Sequence, residues 1–424
     1  MRSKHKKILV IISALLLFAG VTTAAVLYLF PYQPDQPPKA DDTGSTQLGI
    51  LEVANANNQF AFDLYKQLIK TEPSNLFFSP YSISTALAMT YAGAKGQTAS
   101  EMKSVFHFPE DTILKPNSAT IYNQLNAGAK DYELRTGNAL WIQKDFQLLS
   151  DYTNTVEKYF GGKATNLDFV TDTENSRVTI NTFIEKQTKN IIVDLIPKGT
   201  LDESARLVLT NAIYFKGTWQ WEFDPSDTHD GDFTITPNNI VTVKMMNMQP
   251  DKTTFNYADI GDIQILELPY KGNKISMLVI LPSSDLASIE TTLTSEKLNE
   301  YKSQMQQTKL DSITMPKFEF DTKYFMKDTL SALGMPTAFS DKADFSGMTG
   351  ANDLMIGFVI HQAFIKVDEV GTEAAAATAV GMELKSIPQR TVFRADHPFI
   401  FIIQDRETSN ILFIGKVVDP NKVK

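Results

Sequence analysis

Cysteine is absent from the 424-residue chain, which excludes thiol catalysis, disulfide crosslinks and thiolate metal sites together. Histidine is also scarce, and the five histidines never approach the spacing of a metal-binding motif: His5, His107, His229, His361 and His397. The absence of cysteine leaves the compartment open, because an exported protein of this size can be stable without crosslinks.

Motifs of the common hydrolases and phosphate-binding enzymes are missing too. The sequence contains no G-x-S-x-G nucleophile elbow, no H-E-x-x-H zinc motif and no glycine-rich phosphate loop. Paired carboxylates such as Asp41-Asp42 and Glu110-Asp111 fall near predicted loops, where a solvated surface explains them. The residue pattern alone therefore indicates no catalytic site, no metal and no cofactor.

Basic residues are outnumbered by acidic ones, and the formal net charge is -9. The folded part is more acidic than this value, because the first 30 residues hold four basic side chains and no acid. An acidic surface makes nucleic acid or a polyanion an unfavourable general partner.

The N-terminal segment 1–30 combines that basic start with an uncharged run of 23 residues, 8–30. A cleavable signal has an apolar region of only about 7–15 residues, whereas spanning a bilayer takes about 20. The run therefore favours a membrane anchor with the positive flank in the cytoplasm, which places the rest of the chain outside. A secreted protein cleaved near Thr23-Ala24-Ala25 is the alternative, and a buried core helix is disfavoured by the Pro-rich flank.

That flank, residues 31–47, reads as an extended Pro-rich linker. Residues 48–424 form one continuous domain without a second linker. Apolar residues at helical spacing (Ala61, Leu64, Tyr65 and Leu68) and the small-residue run 82–94 predict helices early in the chain. The runs 275–281, 399–403 and 411–418 predict strands late in the chain, the last two as an antiparallel hairpin. This segregation indicates an α+β class.

Seven stretches of the sequence, taken in order, resemble the serpin family of protease inhibitors. They are NLFFSPYSISTALAMTYAGAKGQT (75–98), NAIYFKGTWQWEFDP (211–225), ELPYKGNKISMLVILP (267–282), MPKFEF (315–320), HQAFIKVDEVGTEAAAATA (361–379), FRADHPFIF (393–401) and LFIGKVVDP (412–420). The resemblance covers about residues 48 to 421.

The resemblance implies a fold of three β-sheets and about nine helices, with an exposed reactive loop on the C-terminal side. It implies an inhibitor rather than an enzyme. In this family a serine protease attacks the loop and forms an acyl-enzyme, after which the cut loop inserts as a strand into the central sheet and carries the protease to the opposite pole.

The hinge of that loop matches Glu369, Gly371, Thr372, Glu373, Ala374, Ala375, Ala376, Ala377 and Thr378. A strand that enters a packed sheet must point alternate side chains into a dense core. Thr372, Ala374, Ala376 and Thr378 supply a uniformly small face, and the charge of Glu373 lies on the other face. Gly371 is expected to supply backbone freedom. By itself the segment also suits a short surface helix beginning near Thr372.

The family pattern places the reactive bond sixteen residues after Glu369, at Lys385-Ser386. Threading this length as strand, at about 3.3 Å per residue, would move the protease by about 50 Å. A lysine before the cut implies a trypsin-like serine protease as the covalent partner. Cleavage one residue earlier, at Leu384, would instead suit a chymotrypsin-like or elastase-like enzyme.

Four residues match the family's gate region, where the central sheet opens: Ser79, Ser82, Asn211 and His361. Trp219 matches the family tryptophan near the top of that sheet, where the loop first enters. A buried network of hydroxyls, an amide and an imidazole can break in one arrangement and form again in another. Taken singly, each polar residue is better explained as an ordinary hydrogen-bonded core group, and normal core packing is the alternative explanation of Trp219.

Two features depart from the family pattern. Phe183 stands where many members carry a tryptophan, and the segment 110–136, which is basic in heparin-binding members, holds more acids than bases. Activation by a polyanion is therefore not expected. Inhibition by a monomer remains the favoured hypothesis over a non-inhibitory binding or chaperone-like serpin, because the small-residue hinge is intact, and over a hydrolase of another fold.

Overall fold

The computed structural model describes residues 39–126, 131–250, 253–372 and 391–423. Within these ranges the folded body begins at Ala40 and contains ten α-helices and eighteen strands in three sheets. The α+β class predicted from the sequence is confirmed. The predicted count of about nine helices is close to the ten observed.

The helices are α1 (Gln47–Leu68), α2 (Pro80–Tyr91), α3 (Gly96–Val105), α4 (Asp111–Leu125), α5 (Ser150–Phe160), α6 (Thr173–Gln187), α7 (Ala287–Glu290), α8 (Ser295–Ser303), α9 (Lys327–Leu333) and α10 (Ser346–Thr349). Two short 3₁₀ helices span Pro225–Asp227 and Pro336–Phe339.

The strands are β1 (Leu76–Phe78), β2 (Tyr132–Thr136), β3 (Ala139–Gln143), β4 (Lys163–Leu167), β5 (Leu207–Thr218), β6 (His229–Thr236), β7 (Asn239–Met248), β8 (Phe255–Asp259), β9 (Ile263–Pro269), β10 (Ile275–Pro282), β11 (Gln306–Thr308), β12 (Ser312–Pro316), β13 (Phe318–Phe325), β14 (Ile356–Val367), β15 (Gly371–Thr372), β16 (Val392–Arg394), β17 (Phe399–Asp405) and β18 (Ile411–Val417).

Helix α1 follows the pattern that predicted it. Thr46 caps its first turn by accepting a hydrogen bond from the Gly49 N–H, and the helix ends at Leu68, five residues before Pro73. The apolar residues at helical spacing that predicted it are all buried: Ala61, Leu64, Tyr65 and Leu68. Helix α2 likewise confirms the helix predicted from the small-residue run 82–94.

The strands form three sheets. The central sheet has the order β13-β14-β15-β5-β3-β4, with β2 also paired to β5. The second sheet has the order β1-β18-β17-β10-β9-β8-β11, and the third has the order β16-β12-β7-β6. The predicted hairpin is present as the antiparallel pair β17 and β18. One face of the central sheet packs against α2 and the second sheet, which buries an apolar core between them.

Strands β5 and β14 are parallel neighbours in the middle of the central sheet. Their pairing runs from Leu207 and Ile356 to Tyr214 and Phe364. Beyond this point the two strands separate, and β15 lies between them, antiparallel to both. We call the end of the sheet at Thr218 and Val367 the upper end, and the space between β5 and β14 there the gap.

The end of the segment predicted as a linker belongs to the folded body. Ala40 is buried, and its backbone N–H donates to the Asn123 side chain at 2.9 Å. The Asp41 N–H donates to the Lys158 carbonyl at 2.6 Å. Among the helices within the described ranges, none is long and apolar enough to cross a membrane. The predicted anchor or signal segment, 1–30, lies outside those ranges.

Candidate functional site

The upper end of the gap holds the first two hinge residues. Thr372 is paired with Val367 of β14 on one side and with Gly217 of β5 on the other, and Gly371 is paired with Thr218. A two-residue strand therefore already lies at the position where the family resemblance predicts that a full strand enters.

Gly371 is needed here for space. A Cβ atom on this residue would lie 2.0 Å from the Gly217 carbonyl oxygen and 2.8 Å from the Thr218 Cα. Gly371 is not among the glycines with positive φ, so the expected backbone freedom is not what the position uses in this structure. Only a residue without a side chain fits between the two strands at this point.

Thr372 points into the core. Its side chain is fully buried, and its hydroxyl is 2.7 Å from the hydroxyl of Tyr270. This orientation agrees with the alternation predicted for the hinge, in which Thr372 belongs to the core-facing set. The position therefore buries a small hydroxyl together with its hydrogen-bond partner.

Trp219 lies against the chain that leads into β15. Its ring stacks on Tyr270 with centroids 4.5 Å apart, its Nε1 donates to the Asp368 carbonyl at 3.0 Å, and its backbone N–H donates to the Val370 carbonyl at 2.8 Å. The tryptophan therefore holds the segment 368–370 through both its side chain and its backbone.

Glu369 is fixed in the same region. Its carboxylate lies 2.8 Å from Lys317 Nζ and accepts a hydrogen bond from Thr228 Oγ1, also at 2.8 Å. Its carbonyl accepts from the Phe223 N–H at 2.8 Å. Burial works to raise the pKa of this carboxyl, but the hydrogen bonds from Lys317 and Thr228 outweigh burial and hold the pKa below its usual value.

Asp368 was not predicted as part of the site. Its carboxylate accepts from the N–H groups of Val370 and Gly371, and its own N–H donates to the Gly371 carbonyl. Burial raises the pKa of this carboxyl, although the two backbone N–H groups oppose the change. An aspartate three residues before a glycine is a turn signal, and this signal could have identified the residue from the sequence.

Below the gap, β5 and β14 are paired directly, and we call this paired part of the two strands the seam. Within the seam, His361 of β14 lies opposite Asn211 of β5. They form a direct cross-strand pair, and His361 Nδ1 is hydrogen-bonded to Asn211 Oδ1. The backbone N–H of Ser79 points at His361 Nε2 at 3.1 Å. Since an N–H must donate, Nε2 is the acceptor, and the proton lies on Nδ1 and is donated to Asn211.

The structure brings all four predicted gate residues into one buried network. Ser79 caps α2 by accepting from the Ser82 N–H, and its own hydroxyl donates to the Leu412 carbonyl at 2.6 Å. Asn211 Nδ2 donates to Ser82 Oγ at 2.6 Å. The network thus connects both strands of the seam to the start of α2.

Asn138 completes this network and was missed by sequence reasoning. Its Oδ1 accepts from Asn211 Nδ2 at 2.6 Å and from Ser82 Oγ at 3.0 Å. It lies between β2 and β3, where no sequence motif distinguishes it from an ordinary loop asparagine.

Burial lowers the pKa of His361 to about 3, so the imidazole is neutral at physiological pH.

The remaining predicted residues, Glu373 to Thr378 and the bond Lys385-Ser386, lie outside the described ranges. Phe183, which stands where many family members carry a tryptophan, packs edge-on against Trp141, with ring centroids 5.4 Å apart.

The chain matches the model of one protein family, described as serpin (serine protease inhibitor), over residues 55–420. It is 42% identical over 378 residues to an uncharacterized serpin-like protein of Methanosarcina mazei, with 87% of this chain and 88% of the relative covered. It is 39% identical over 377 residues to the leukocyte elastase inhibitor of Xenopus laevis, with 87% and 99% covered.

A likeness to solved structures agrees with these matches. The crystal structure of Serpin48 from the insect Tenebrio molitor superposes with a TM-score of 0.78 at 31% identity, covering 87% of this chain and 98% of that one. The protein therefore belongs to the serpin family. Members of this family are generally protease inhibitors and not enzymes.

Proposed function

We propose that this serpin is a suicide-substrate inhibitor of trypsin-like serine proteases and traps the acyl-enzyme by inserting its loop into the gap. The proposal rests on the position of β15 between β5 and β14, where Thr372 is paired with both strands and Gly371 with β5. The hinge begins inside the sheet, so insertion extends an existing strand and needs no new nucleation between β5 and β14.

The register of β15 defines where each later residue would go. Thr372 is opposite Gly217 and Val367, so an antiparallel strand continued in this register brings Thr378 opposite both Asn211 and His361. The hydroxyl of the inserted Thr378 would then bind to His361 and Asn211 in place of the direct hydrogen bond between these two side chains. A network of side chains that can bond in either arrangement supports a gate that opens and closes again.

The length of the seam agrees with the proposed reactive bond. If the strand continued in the same register, Met382 would come opposite Leu207, where the pairing of β5 with β14 starts. The strand 372–382 would span about 35 Å at about 3.3 Å per residue. Lys385 follows three residues later, so a protease bound to it would lie beyond the lower end of the sheet.

The seam is suited to opening. Parallel pairs are slightly less stable per residue than antiparallel pairs, and an inserted strand would replace one parallel pairing with two antiparallel ones. The core-facing hinge residues after Thr372 are alanines and a threonine, which add little volume to the face against α2. Cleavage would release the strand to form these extra ladder bonds.

We also propose cleavage at Lys385-Ser386, with Leu384 as the alternative residue, and an extracytoplasmic location reached through the segment 1–30, either membrane-anchored or secreted. The lysine fits a primary pocket that carries a carboxylate. Sequencing the N-terminus of the mature protein tests the anchor, since an intact segment 8–30 is expected for an anchored protein and a start after Ala25 for a secreted one.

Mixing the full-length protein with trypsin tests the inhibitor proposal. We expect a covalent complex that survives SDS and a released peptide that begins at Ser386 and runs 39 residues to Lys424. A peptide that begins at Lys385 would assign the cut to Leu384. Cleavage of the loop by trypsin, chymotrypsin and elastase without any covalent complex would contradict inhibition and favour a binding role.

A further inference from the structure

A row of charged residues crosses the upper end of the central sheet on the face opposite Thr372. Glu133 of β2 is paired with Lys216 of β5, and Lys366 of β14 is paired with Glu319 of β13. We call these four residues the charge row. Lys216 and Lys366 alternate with buried neighbours such as Phe215 and Ile365, which places both lysines on the outer face.

The two lysines border the gap. The parallel pairing of β5 with β14 ends at Tyr214 and Phe364. If the strands continued to pair in this register, Lys216 would stand directly opposite Lys366. Like charges directly opposite each other destabilise a pair of strands, so the charge row opposes closure of the gap at its upper end.

The same lysines flank the next position of an entering strand. Because Thr372 is opposite Gly217 and Val367, the residue that follows it in the same register comes between Lys216 and Lys366. That residue is Glu373 in the sequence and lies outside the described ranges. With a carboxylate at this position the row alternates in sign across five strands: Glu133, Lys216, Glu373, Lys366 and Glu319.

We infer that Lys216 and Lys366 form a receiving site for a carboxylate that drives the first step of loop insertion, repelling each other when the gap closes and attracting Glu373 when the strand enters. The inference rests on the proposed function and deepens it by naming two positioning residues for insertion.

The existing ion pairs leave both lysines available for this role. Glu133 is held by Arg135 and Lys189, each at 2.6 Å, and within the described ranges Lys216 has no carboxylate within 4.0 Å. Lys366 is 4.0 Å from Glu319, and both of these side chains are nearly half exposed, so the pair is weak. A carboxylate between the lysines would be a direct cross-strand neighbour of both of them.

A double-mutant cycle on the full-length protein tests the inference. The variants are Lys216→Gln, Lys366→Gln, Glu373→Gln and their combinations, and the readout is the amount of inhibitor consumed for each trypsin trapped. Each lysine variant is expected to slow insertion about two- to fivefold, which corresponds to one cross-strand charge pair. In the Glu373→Gln background the lysine changes should have a clearly smaller effect.

Two controls separate charge from structure. Lys342→Gln removes the same charge from an exposed position away from the central sheet, and it should leave the trapping ratio unchanged. Raising the salt from about 0.05 M to about 0.5 M should shrink the effect of the lysine variants, since both side chains are partly exposed.

The inference would be overturned if the effects of the lysine and Glu373 variants on the trapping ratio were additive, or if the lysine variants had the same trapping ratio as Lys342→Gln. The proposed function would still stand in either case, provided that the unaltered protein traps trypsin. If the unaltered protein traps no trypsin, the proposed function fails and insertion is read instead from the rise in melting temperature after the loop is cut. A smaller rise in the lysine variants would still support the charge row. An equal rise in all variants, or no rise in any, would refute it.

Discussion

His361 and Asn211 are hydrogen-bonded across the line where the central sheet parts in the proposed mechanism. They belong to different strands, β14 and β5, and stand directly opposite each other in a parallel register. Opening of the seam to admit a strand therefore has to break this bond, and in the proposed register Thr378 arrives at the same place. In that mechanism, the state of this one bond would distinguish the closed sheet from the inserted one.

Acidification tests the neutral state of His361. Burial holds the pKa of this imidazole at about 3 against an ordinary value of 6.5, so between these values the unfolded chain binds a proton that the native protein does not. The free energy of unfolding is therefore unaffected by this group above pH 6.5, and it decreases by about 1.4 kcal/mol per pH unit as the pH falls from 6.5 towards 3.

Urea unfolding at pH 7.5 and 4.5 measures this loss, which should amount to about 2 to 3 kcal/mol more for the unaltered protein than for His361→Gln. The exposed His229 provides the control, because His229→Gln should keep the full pH dependence. An equal pH dependence in His361→Gln would show that the imidazole is not the group responsible.

Thr372→Arg is expected to convert the inhibitor into a substrate. Thr372 is already fully buried beside Tyr270 in the uncut protein, so an arginine here would leave the sheet, and its charge would have to enter the core before the strand could extend. Trypsin should cut the loop and be released, with the covalent complex on SDS gels falling at least tenfold, an energy difference of about 1.4 kcal/mol between the two outcomes. Thr372→Ser, which keeps the hydroxyl, should still inhibit; full inhibition by Thr372→Arg would rule out insertion at this position.

Gly371→Ala should expel β15 from the gap. The added Cβ would lie 2.0 Å from the Gly217 oxygen, so either the sheet or the hinge must move. Because Trp219 is hydrogen-bonded to the chain just before β15, its fluorescence should shift to the red as the loss of β15 exposes the indole ring to water. Gly357→Ala at the other end of β14 is the matched control, since its Cβ would be 3.2 Å from the nearest atom. Identical spectra for both variants would contradict the close-packing role.

Asn138→Ala should destabilise the native state by about 1 to 3 kcal/mol, because the hydroxyl of Ser82 and the amide of Asn211 each lose an acceptor in a buried place. Thermal unfolding of the uncut protein measures this change. The exposed Asn239→Ala should be neutral by comparison. If Asn138→Ala melts at the temperature of the unaltered protein, Asn138 is not part of the gate.

Much of the fold could be predicted because its signals are local. The helix ending at Leu68 follows from its apolar spacing, and the hairpin of β17 and β18 follows from two apolar runs around a polar turn. The gate residues Ser79, Ser82, Asn211 and His361 could be assigned only through the family resemblance, since each is an ordinary polar residue when considered alone.

The rest depends on contacts that sequence patterns do not encode. Asn138 meets Ser82 and Asn211 from 56 and 73 residues away, so no local spacing identifies it. The placement of β15 depends on how far β5 and β14 separate, which is set by tertiary packing. The role of Gly371 also depends on this packing. The sequence alone suggests backbone flexibility at this glycine, whereas in the structure it is the lack of a side chain that lets β15 fit beside Gly217.

In the proposed mechanism the uncut protein is the less stable arrangement, and a severed loop completes the central sheet. Differential scanning calorimetry of the protein before and after a single cut between residues 380 and 386 tests it most directly. We expect the cut protein to melt well above the intact one, because the new strand gains ladder bonds on both sides. An unchanged or lower melting temperature after the cut would contradict the account.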